Sequence, residues 1–182
     1  MKKIQKAFFS RDALVVAKEL LGKVISYNNC SGIIVETEAY KKDPASHAFK
    51  ITPRSEIMLN SYGKFYIYFI YGMYHCLNIT TNKNDIGAVL IRSLQPLDGI
   101  SIMKKRRKTS DIHNLLSGPG KLCQALNITK SLNNTNVDDK IKVYYYKNIK
   151  NSEIEKTKRI GIKESKDLDW RFYIKNNKFV SK

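Results

Sequence analysis

Residues 62–80 read YGKFYIYFIYGMYHCLNIT, and this stretch decides the fold because it contains two strand-like patterns that meet at Gly72. Residues 66–69 alternate between tyrosine and a plain hydrocarbon side chain, which predicts a β-strand with phenols on one face and an apolar second face. The residues after Gly72 predict the return strand of a hairpin. Five tyrosines in nineteen residues, in a strongly basic chain, indicate a surface on which flat aromatic groups stack.

The bulk composition favours one packed domain that binds nucleic acid. The chain has 182 residues and 42% hydrophobic content, which predicts a single domain over residues 1–182. Its 33 Lys and Arg against 16 Asp and Glu give a net charge of +17. Such a surplus favours a polyanionic partner, and nucleic acid before an anionic membrane. We expect a monomer that does not bind membranes.

The chain has no predicted membrane segment or signal peptide. No apolar run approaches the ~18 residues that span a bilayer, and Lys18 and Glu19 interrupt the apolar residues near the start. Cys30, Cys76 and Cys123 are odd in number, far apart and without a CxxC pair, which indicates reduced thiols and a cytoplasmic protein. The three histidines are equally scattered, so neither a zinc site nor a cofactor is expected.

Periodicity and turn residues predict an α+β domain, mostly antiparallel sheet with a few helices and a protruding hairpin. Residues 133–157 are rich in Asn and Lys and are predicted to lie on the surface. The remaining predicted elements are a helix over 13–21 capped by Ser10, strands over 23–27 and 33–40 joined by a turn at 28–32, a loop over 41–54, a strand over 88–94 closed by Pro96, helices over 100–107 and 121–126, and strands over 142–146, 159–162 and 170–174.

The strand over 33–40 carries two carboxylates on one face. Period two places Glu36 and Glu38 on the same side as Tyr40, with the two glutamates roughly 6 to 7 Å apart. Mutual repulsion and partial burial would raise at least one pKa toward the range of a general base. The spacing alone fits a metal site, a glycosidase, a salt-bridged core or two solvated glutamates equally well.

Short sequence motifs (blocks) follow one another in order along nearly the whole chain. They are VETEAY at 35–40, DPASH at 43–47, TPR at 52–54, YIYFIYGMY at 66–74, CLNI at 76–79, VLIRSLQP at 89–96, SGPGKLCQAL at 117–126, RIGI at 159–162 and WRFY at 170–173. Together these blocks resemble the alkyladenine (3-methyladenine) DNA glycosylase family, in its bacterial type. One block is a weak signal, but several in register are specific.

The resemblance implies a DNA repair enzyme that flips alkylated or deaminated purines out of duplex DNA and hydrolyses the N-glycosidic bond, leaving an abasic site. By position, Glu38 resembles the general base that activates water, and Arg92 the arginine that holds this water and the backbone. The other implied contacts are Tyr40, His47 and Tyr68 as walls that stack on the base, Asn78 as the floor that disfavours the guanine 2-amino group, Tyr71 as the wedge that enters the duplex, and Met73 and Lys121 as further DNA contacts.

These residue types suit the implied chemistry. A ring inserted into the duplex offsets the cost of flipping, and a cationic alkylated purine stacks well on electron-rich phenols. Such a base is a good leaving group, so a single general base is enough. No lysine lies in a motif position that indicates a Schiff base, so we expect a monofunctional enzyme.

Several residues keep two interpretations. Tyr66 and Tyr74 are expected to be scaffold, and Glu36 to support Glu38 by hydrogen bonding. Gly118, Gly120 and Lys121 either hold a backbone phosphate or cap a helix, and the basic run at 104–108 either contacts DNA or is only solvated.

Two other classes of protein remain open. One is a module that binds RNA or DNA through the same basic, aromatic surface without chemistry. The other is a metal-dependent hydrolase using Glu36, Glu38 and a histidine, for which the ligand spacing is poor.

Overall fold

The computed structural model describes residues 1–50, 52–59 and 61–181, and its centre is one long, buried strand, β2. The predicted loop at 41–54 includes residue 51, which lies outside the described residues. The described strands are β1 (Val24–Tyr27), β2 (Cys30–Tyr40), β3 (Phe65–Ile70), β4 (Tyr74–Thr81), β5 (Gly87–Asp98), β6 (Lys142–Tyr144), β7 (Ile154–Thr157) and β8 (Arg171–Ile174).

The eight strands form one sheet in which every pairing is antiparallel. The main order is β3-β4-β5-β2-β1-β6, and β8 pairs with both β2 and β7. Strand β2 is buried along all but its last residue. Strand β5 pairs with one of its edges and β1 and β8 with the other, and the helix at Ala13–Glu19 packs against it. A side chain on β2 is therefore shielded from solvent unless a cavity reaches it.

The helices within the described residues are α1 (Ala13–Glu19), α2 (Glu56–Leu59), α3 (Ile100–Arg107) and α4 (Pro119–Leu126). Helix α1 packs against β2 and β5, and α4 packs against β4 and β5. The apolar residues of α1 and α4 join those of the sheet in one core. This arrangement confirms the α+β class, dominated by antiparallel sheet. No helix in the described ranges is long and apolar enough to cross a membrane.

The start of α1 differs from the prediction. The side chain of Asp12 accepts a 2.8 Å hydrogen bond from the Leu14 N–H and so caps the helix. The Ser10 hydroxyl instead donates to the Ala7 carbonyl at 2.8 Å, within a short 3-10 helix. Ser10 was therefore the wrong cap, because a residue that closes the preceding turn is no longer available to the next one.

Strand boundaries near turns were also predicted imperfectly. Asn28 and Asn29 both have positive φ angles, 54° and 60°, so two residues suffice for the turn and β2 begins at Cys30. Pro96 does not end β5 but pairs with Gly32 inside it. Proline is tolerated there because β4 pairs with β5 only as far as Leu90, which leaves the other side of Pro96 without a strand partner.

Two predictions for the second half of the chain were wrong. Residues 159–162 are not a strand but a loop between β7 and β8, and the strand nearby is β7. Residues 133–157 are not all surface, since Val137, Ile141 and Val143 are fully buried. The Asn- and Lys-rich composition hid these three apolar positions.

The tyrosine hairpin forms as predicted from β3 and β4, with Ile70 paired to Tyr74. Tyr71 and Gly72 have φ angles of 54° and 67°, and the Met73 N–H donates to the Ile70 carbonyl at 3.3 Å. These angles are those of a type I′ turn. Tyr71 is 77% exposed and Met73 64% exposed. The hairpin therefore begins in the core and projects its tip into solvent.

Candidate active site

One cavity of about 770 Å³ collects most of the residues that the sequence singled out. Its walls come from β2, β3, β4, β5, the start of α4 and two loops, at 44–47 and 160–164. The predicted site residues that line it are Tyr40, His47, Tyr68, Tyr71, Asn78, Arg92 and Lys121. Met73 lies at the exposed hairpin tip beside them.

Glu38 lies on β2 immediately behind this cavity and is itself fully buried. Its Oε1 accepts a 2.7 Å hydrogen bond from the Ile160 N–H and forms a 3.2 Å ion pair with Arg92 Nη1, and its Oε2 accepts a 2.8 Å hydrogen bond from the Tyr40 hydroxyl. All three partners line the cavity. Each carboxylate oxygen accepts about two hydrogen bonds, so Oε2, which receives one from the Tyr40 hydroxyl, keeps an acceptor site.

Burial raises the pKa of Glu38 above the ordinary glutamate value, and the negative charge of Glu36 adds a smaller contribution in the same direction. Arg92, the Ile160 N–H and the Tyr40 hydroxyl oppose the rise because each stabilises the charged form. Glu38 therefore combines the raised basicity expected of a buried carboxylate with two hydrogen bonds and an ion pair that orient it.

Glu36 has a different environment although it lies on the same strand. Its carboxylate accepts hydrogen bonds from Arg92 Nε at 3.1 Å, Arg171 Nε at 2.6 Å, the Ser181 N–H at 2.8 Å and the Ser181 hydroxyl at 2.9 Å. Three of these donors bind Oε1 and the Ser181 N–H binds Oε2, so both oxygens of the Glu36 carboxylate are engaged. Arg92 thus bridges the two glutamates, and Glu36 has the contacts of a group that fixes Arg92.

Aromatic side chains form a wall opposite these charges. The His47 and Tyr68 rings meet edge to face with centroids 4.7 Å apart, and His47 Nδ1 lies 2.9 Å from the Tyr66 hydroxyl. Burial, and then the positive charge of Arg54, lower the pKa of His47. The imidazole is therefore neutral at pH 7 and presents a flat, uncharged surface to the cavity.

Asn78 forms part of the cavity on β4, directly opposite Tyr66 in the strand register. It is only 4% exposed, and its Nδ2 donates to the Tyr66 carbonyl at 3.0 Å. This bond fixes the orientation of the amide. A rigid amide limits the shape of any ring that enters, as a floor residue requires.

Tyr66 and Tyr74, expected to be scaffold, both line the cavity. Tyr66 is buried, as a scaffold residue would be, but its hydroxyl holds His47. Tyr74 is 45% exposed, so it is not a core residue. Its ring packs on Gly120, where a Cβ would lie 2.9 Å from the nearest ring atom. Glycine at this position therefore lets the start of α4 pack against the hairpin.

The basic residues near the cavity mouth do not all behave alike. Lys121 Nζ is hydrogen-bonded to the Asn114 side chain at the cavity rim, and Arg107 also lines the cavity. Arg106 instead donates to the Ala125 carbonyl at 2.9 Å. Lys105 and Lys108 are exposed. Arg106 thus supports the packing of α3 on α4, while Arg107 and Lys121 face the cavity.

Sequence reasoning missed the contacts made by Arg159. Its guanidinium lies 4.7 Å from the Tyr40 ring centroid and 5.0 Å from that of Trp170. It also forms a two-pronged ion pair with Asp43, at 2.7 and 3.2 Å. Ser181 and Arg171 were missed for the same reason, since their partner Glu36 is more than 130 positions away. Arg159 and Arg171 both lie in motifs that carry the family resemblance, at 159–162 and 170–173. Those motifs were the signal that could have identified the two arginines.

Metal ligation has no obvious place in this arrangement. Within the described ranges, no three His, Cys, Asp or Glu side chains come close enough together to hold a metal ion. Glu36 and Glu38 instead contact arginine, backbone N–H and hydroxyl groups.

Comparison with known proteins agrees with the sequence resemblance. The profile of the family described as methylpurine-DNA glycosylase (MPG) matches residues 7–178. A protein of Clostridium novyi (strain NT) with the provisional name 3-methyladenine DNA glycosylase is 43% identical, with 100% of each chain covered. Proteins with the same name from Prosthecochloris aestuarii (strain DSM 271 / SK 413) and Clostridium perfringens (strain SM101 / Type A) are 45% and 46% identical, covering 100% and 96% of this chain and 92% and 97% of their own.

The matched range includes every element that forms the cavity, from β2 to the loop that contains Ile160. The family expected from the sequence is confirmed. The chain belongs to the methylpurine-DNA glycosylase family and is accordingly a DNA glycosylase.

Proposed function

We propose that this DNA glycosylase flips alkylated or deaminated purines out of duplex DNA and hydrolyses their N-glycosidic bond with a water activated by Glu38. The observation that carries the proposal is the position of Glu38, fully buried and held by three residues that line the cavity. An acceptor site on Oε2 remains, and we assign it to the attacking water.

In the proposed reaction, this water attacks C1′ of the deoxyribose while Glu38 accepts its proton. The bond between C1′ and the purine nitrogen breaks, its electron pair leaves with the base, and an abasic sugar remains. Arg92 keeps Glu38 oriented through its 3.2 Å contact. A general base of this kind contributes roughly 10² to 10⁴-fold to the rate.

The aromatic wall supports binding of an extruded base. Tyr40, His47 and Tyr68 present rings to a cavity of about 770 Å³, which lies within the size range of ordinary small-molecule pockets. Stacking contributes on the order of 1 to 3 kcal/mol per base without reading its identity. Asn78 then supplies shape selection, and we assign to it the exclusion of the guanine 2-amino group.

The hairpin tip supports flipping from a duplex. Tyr71 is highly exposed, lines the cavity mouth and has Met73 beside it. A ring that fills the gap left by the base offsets part of the unstacking cost of a few kcal/mol. Lys121 and Arg107 at the rim are placed to contact backbone phosphates, which suits the net charge of +17.

We further propose that the enzyme is monofunctional, monomeric and cytoplasmic. Lys121 Nζ is engaged by Asn114 and has no contact with Glu38, so we assign no Schiff base to it. Cys30, Cys76 and Cys123 are all free thiols, which suits a reducing compartment. Sedimentation of the protein with and without DNA checks its oligomeric state.

The decisive experiment is a panel of short duplexes, each with one modified purine, incubated with the protein in the presence of a chelator. The lesions are 3-methyladenine, 7-methylguanine, hypoxanthine and an etheno-adduct, with undamaged DNA as the control. We expect release of free base and an abasic site that breaks only after alkali. Binding without base release on every lesion would indicate the non-catalytic module, and activity lost in chelator would indicate the metal-dependent hydrolase.

A further inference from the structure

Three separate parts of the site meet at Arg159, which lies outside the set of residues assigned to the reaction above. Its side chain is fully buried although it is charged. Charged groups are buried only when they are paired and hydrogen-bonded. The partners of Arg159 therefore indicate what the buried charge holds in place.

The first part is the loop that follows β2. Arg159 Nη2 and Nη1 contact the two carboxylate oxygens of Asp43 at 2.7 and 3.2 Å. Asp43 also accepts a hydrogen bond from the Ala45 N–H at 3.1 Å. Ala45, Ser46 and His47 line the cavity, so the ion pair anchors the loop that carries His47.

The second part is Tyr40, the aromatic wall residue at the end of β2. The guanidinium lies 4.7 Å from the Tyr40 ring centroid, and its Nη1 donates to the Ala39 carbonyl at 3.3 Å. Arg159 is fully buried whereas Tyr40 lines the cavity, so the cation lies against the face of the ring that points into the protein. Stacked in this way, a planar guanidinium fixes the ring plane.

The third part is the donor to Glu38. Ile160 follows Arg159 directly in the chain, and its N–H donates to Glu38 Oε1 at 2.7 Å. Ile160 is itself 37% exposed and lies in a loop. Because no strand ladder holds this N–H, its position depends on the neighbouring anchored residue.

We propose that Arg159 is a positioning residue, whose buried guanidinium holds the Tyr40 ring, the Asp43 loop and the Ile160 N–H in one arrangement around Glu38. The inference rests on the proposed function, since it assumes that Glu38 is the group that activates water. Arg159 does not touch the reacting atoms. It acts through Tyr40 and Ile160, which both contact Glu38 and line the cavity.

The pKa of Glu38 is a suitable readout of the role of Arg159, because it depends on the groups around Glu38. Arg92 faces it from β5, Glu36 and Tyr40 lie on its own strand, and Cys76 lies on β4. Arg171 pairs with Glu38 in the strand register from β8, with its Nε on Glu36. Of these groups, Tyr40 contacts the Arg159 guanidinium through its ring. Loss of the Ile160 donor would destabilise the charged form of Glu38, and so raise its pKa. A residue that only stabilises the fold would leave the titration of Glu38 unchanged in the folded protein.

The central variant is the double substitution Arg159→Gln with Asp43→Asn. It removes the ion pair without leaving Asp43 buried and unpaired, and it changes the net charge of the region by zero. The control is Lys158→Gln, which removes an exposed cation next to Arg159. Carbon-13 NMR of the glutamate carboxyls then follows Glu38 in wild type and both variants.

We expect the Glu38 titration of the double variant to move up by about one pH unit, the effect of losing one hydrogen bond to a carboxylate. The acidic limb of single-turnover base release should move with it, and Lys158→Gln should match wild type in both. Trp170 is the only tryptophan and contacts the guanidinium, so its emission should change in the double variant and not in the control.

An unchanged Glu38 titration in the folded double variant would overturn the positioning role. If the double variant does not fold, Arg159→Lys tests the positioning role instead. Lysine keeps the charge but cannot reach Asp43, Ala39 and the Tyr40 face at once. We expect a smaller upward shift in Arg159→Lys, and a wild-type titration there would equally overturn the proposal. Absence of base release by the wild-type protein would reject the proposed function instead, while the NMR titration still tests Arg159.

Discussion

Arg92 Nη1 lies 3.2 Å from Glu38 Oε1, on the strand that pairs with the strand of Glu38. The same guanidinium contacts Glu36 through Nε at 3.1 Å. One buried cation is thus shared between two buried anions. Glu38 receives only part of that charge, which is why burial dominates and its pKa is raised.

Glu38→Gln should nearly abolish base release, because an amide cannot accept the proton of the attacking water. We expect a loss of roughly 10² to 10⁴-fold in single-turnover assays on a hypoxanthine duplex. Glu155→Gln, a half-buried glutamate on β7 that is 3.9 Å from Lys175, serves as the matched control and should keep full activity. Retained activity in Glu38→Gln, with Glu155→Gln unchanged, would reject Glu38 as the base.

The pH dependence should follow the state of Glu38. A general base works when deprotonated, so the rate should fall as the pH drops through the Glu38 pKa and the carboxylate takes up a proton. Burial raises this pKa above 4.5, the ordinary value, so we expect the acidic limb to have its midpoint above that pH. A rate–pH profile under single-turnover conditions measures it.

Glu36→Gln should move the acidic limb of the rate–pH profile to lower pH. Glu36 raises the Glu38 pKa by charge repulsion, and its removal also leaves Arg92 to stabilise Glu38 alone. The comparison needs thermal unfolding of the variant as a control, because Arg171 and Ser181 lose a charged partner too. A limb that moves to higher pH would contradict the shared-cation explanation.

Tyr71→Ala should weaken flipping while leaving non-specific DNA binding largely intact. The exposed ring contributes little to folding, but stacking in the duplex gap contributes about 1 to 3 kcal/mol, so we expect base release to slow by about tenfold. A fluorescent base analogue at the lesion reports flipping directly. Tyr146→Ala removes another exposed tyrosine and should have no effect, whereas equal flipping by Tyr71→Ala and wild type would refute the wedge.

Ser181→Ala should lower both stability and activity modestly. The serine hydroxyl donates to Glu36 at 2.9 Å and accepts from Arg92 at 3.4 Å, so its loss should cost about 1 kcal/mol of unfolding free energy. Urea unfolding and single-turnover rates measure the two effects. Ser131→Ala, on the exposed surface, is the control. A variant as stable and as active as wild type would show that the Glu36–Arg92 pair does not depend on Ser181.

The sequence predicted those parts of the fold whose causes are local. The alternation in residues 66–69 and the run at 33–40 led directly to β3 and β2, because a half-buried or buried strand shows its period within a few residues. The helix at 100–107 was likewise found with its observed bounds. Errors arose where two neighbouring residues compete for one turn, as at Ser10 and Asp12.

The candidate site was likewise predicted only where its residues could be identified locally. Glu38, Tyr40, Tyr68 and Arg92 lay in recognisable blocks, and the fold brings them to one cavity. The network that orients them could not be predicted, because Arg159 reaches Asp43 and Ser181 reaches Glu36 across more than a hundred residues. Such contacts depend on tertiary packing, which leaves no period in the sequence.

If Tyr71 is the wedge proposed above, the turn at the hairpin tip sets folding stability against DNA repair. Tyr71 occupies left-handed backbone at φ 54°, a conformation that costs a residue other than glycine roughly 1 to 2 kcal/mol and that asparagine tolerates better. A sequence selected for stability alone would place asparagine here and lose the ring. The tyrosine is therefore held in an unfavourable backbone conformation before any DNA arrives, so that its aromatic surface faces outward without a search through alternatives when the enzyme meets a duplex.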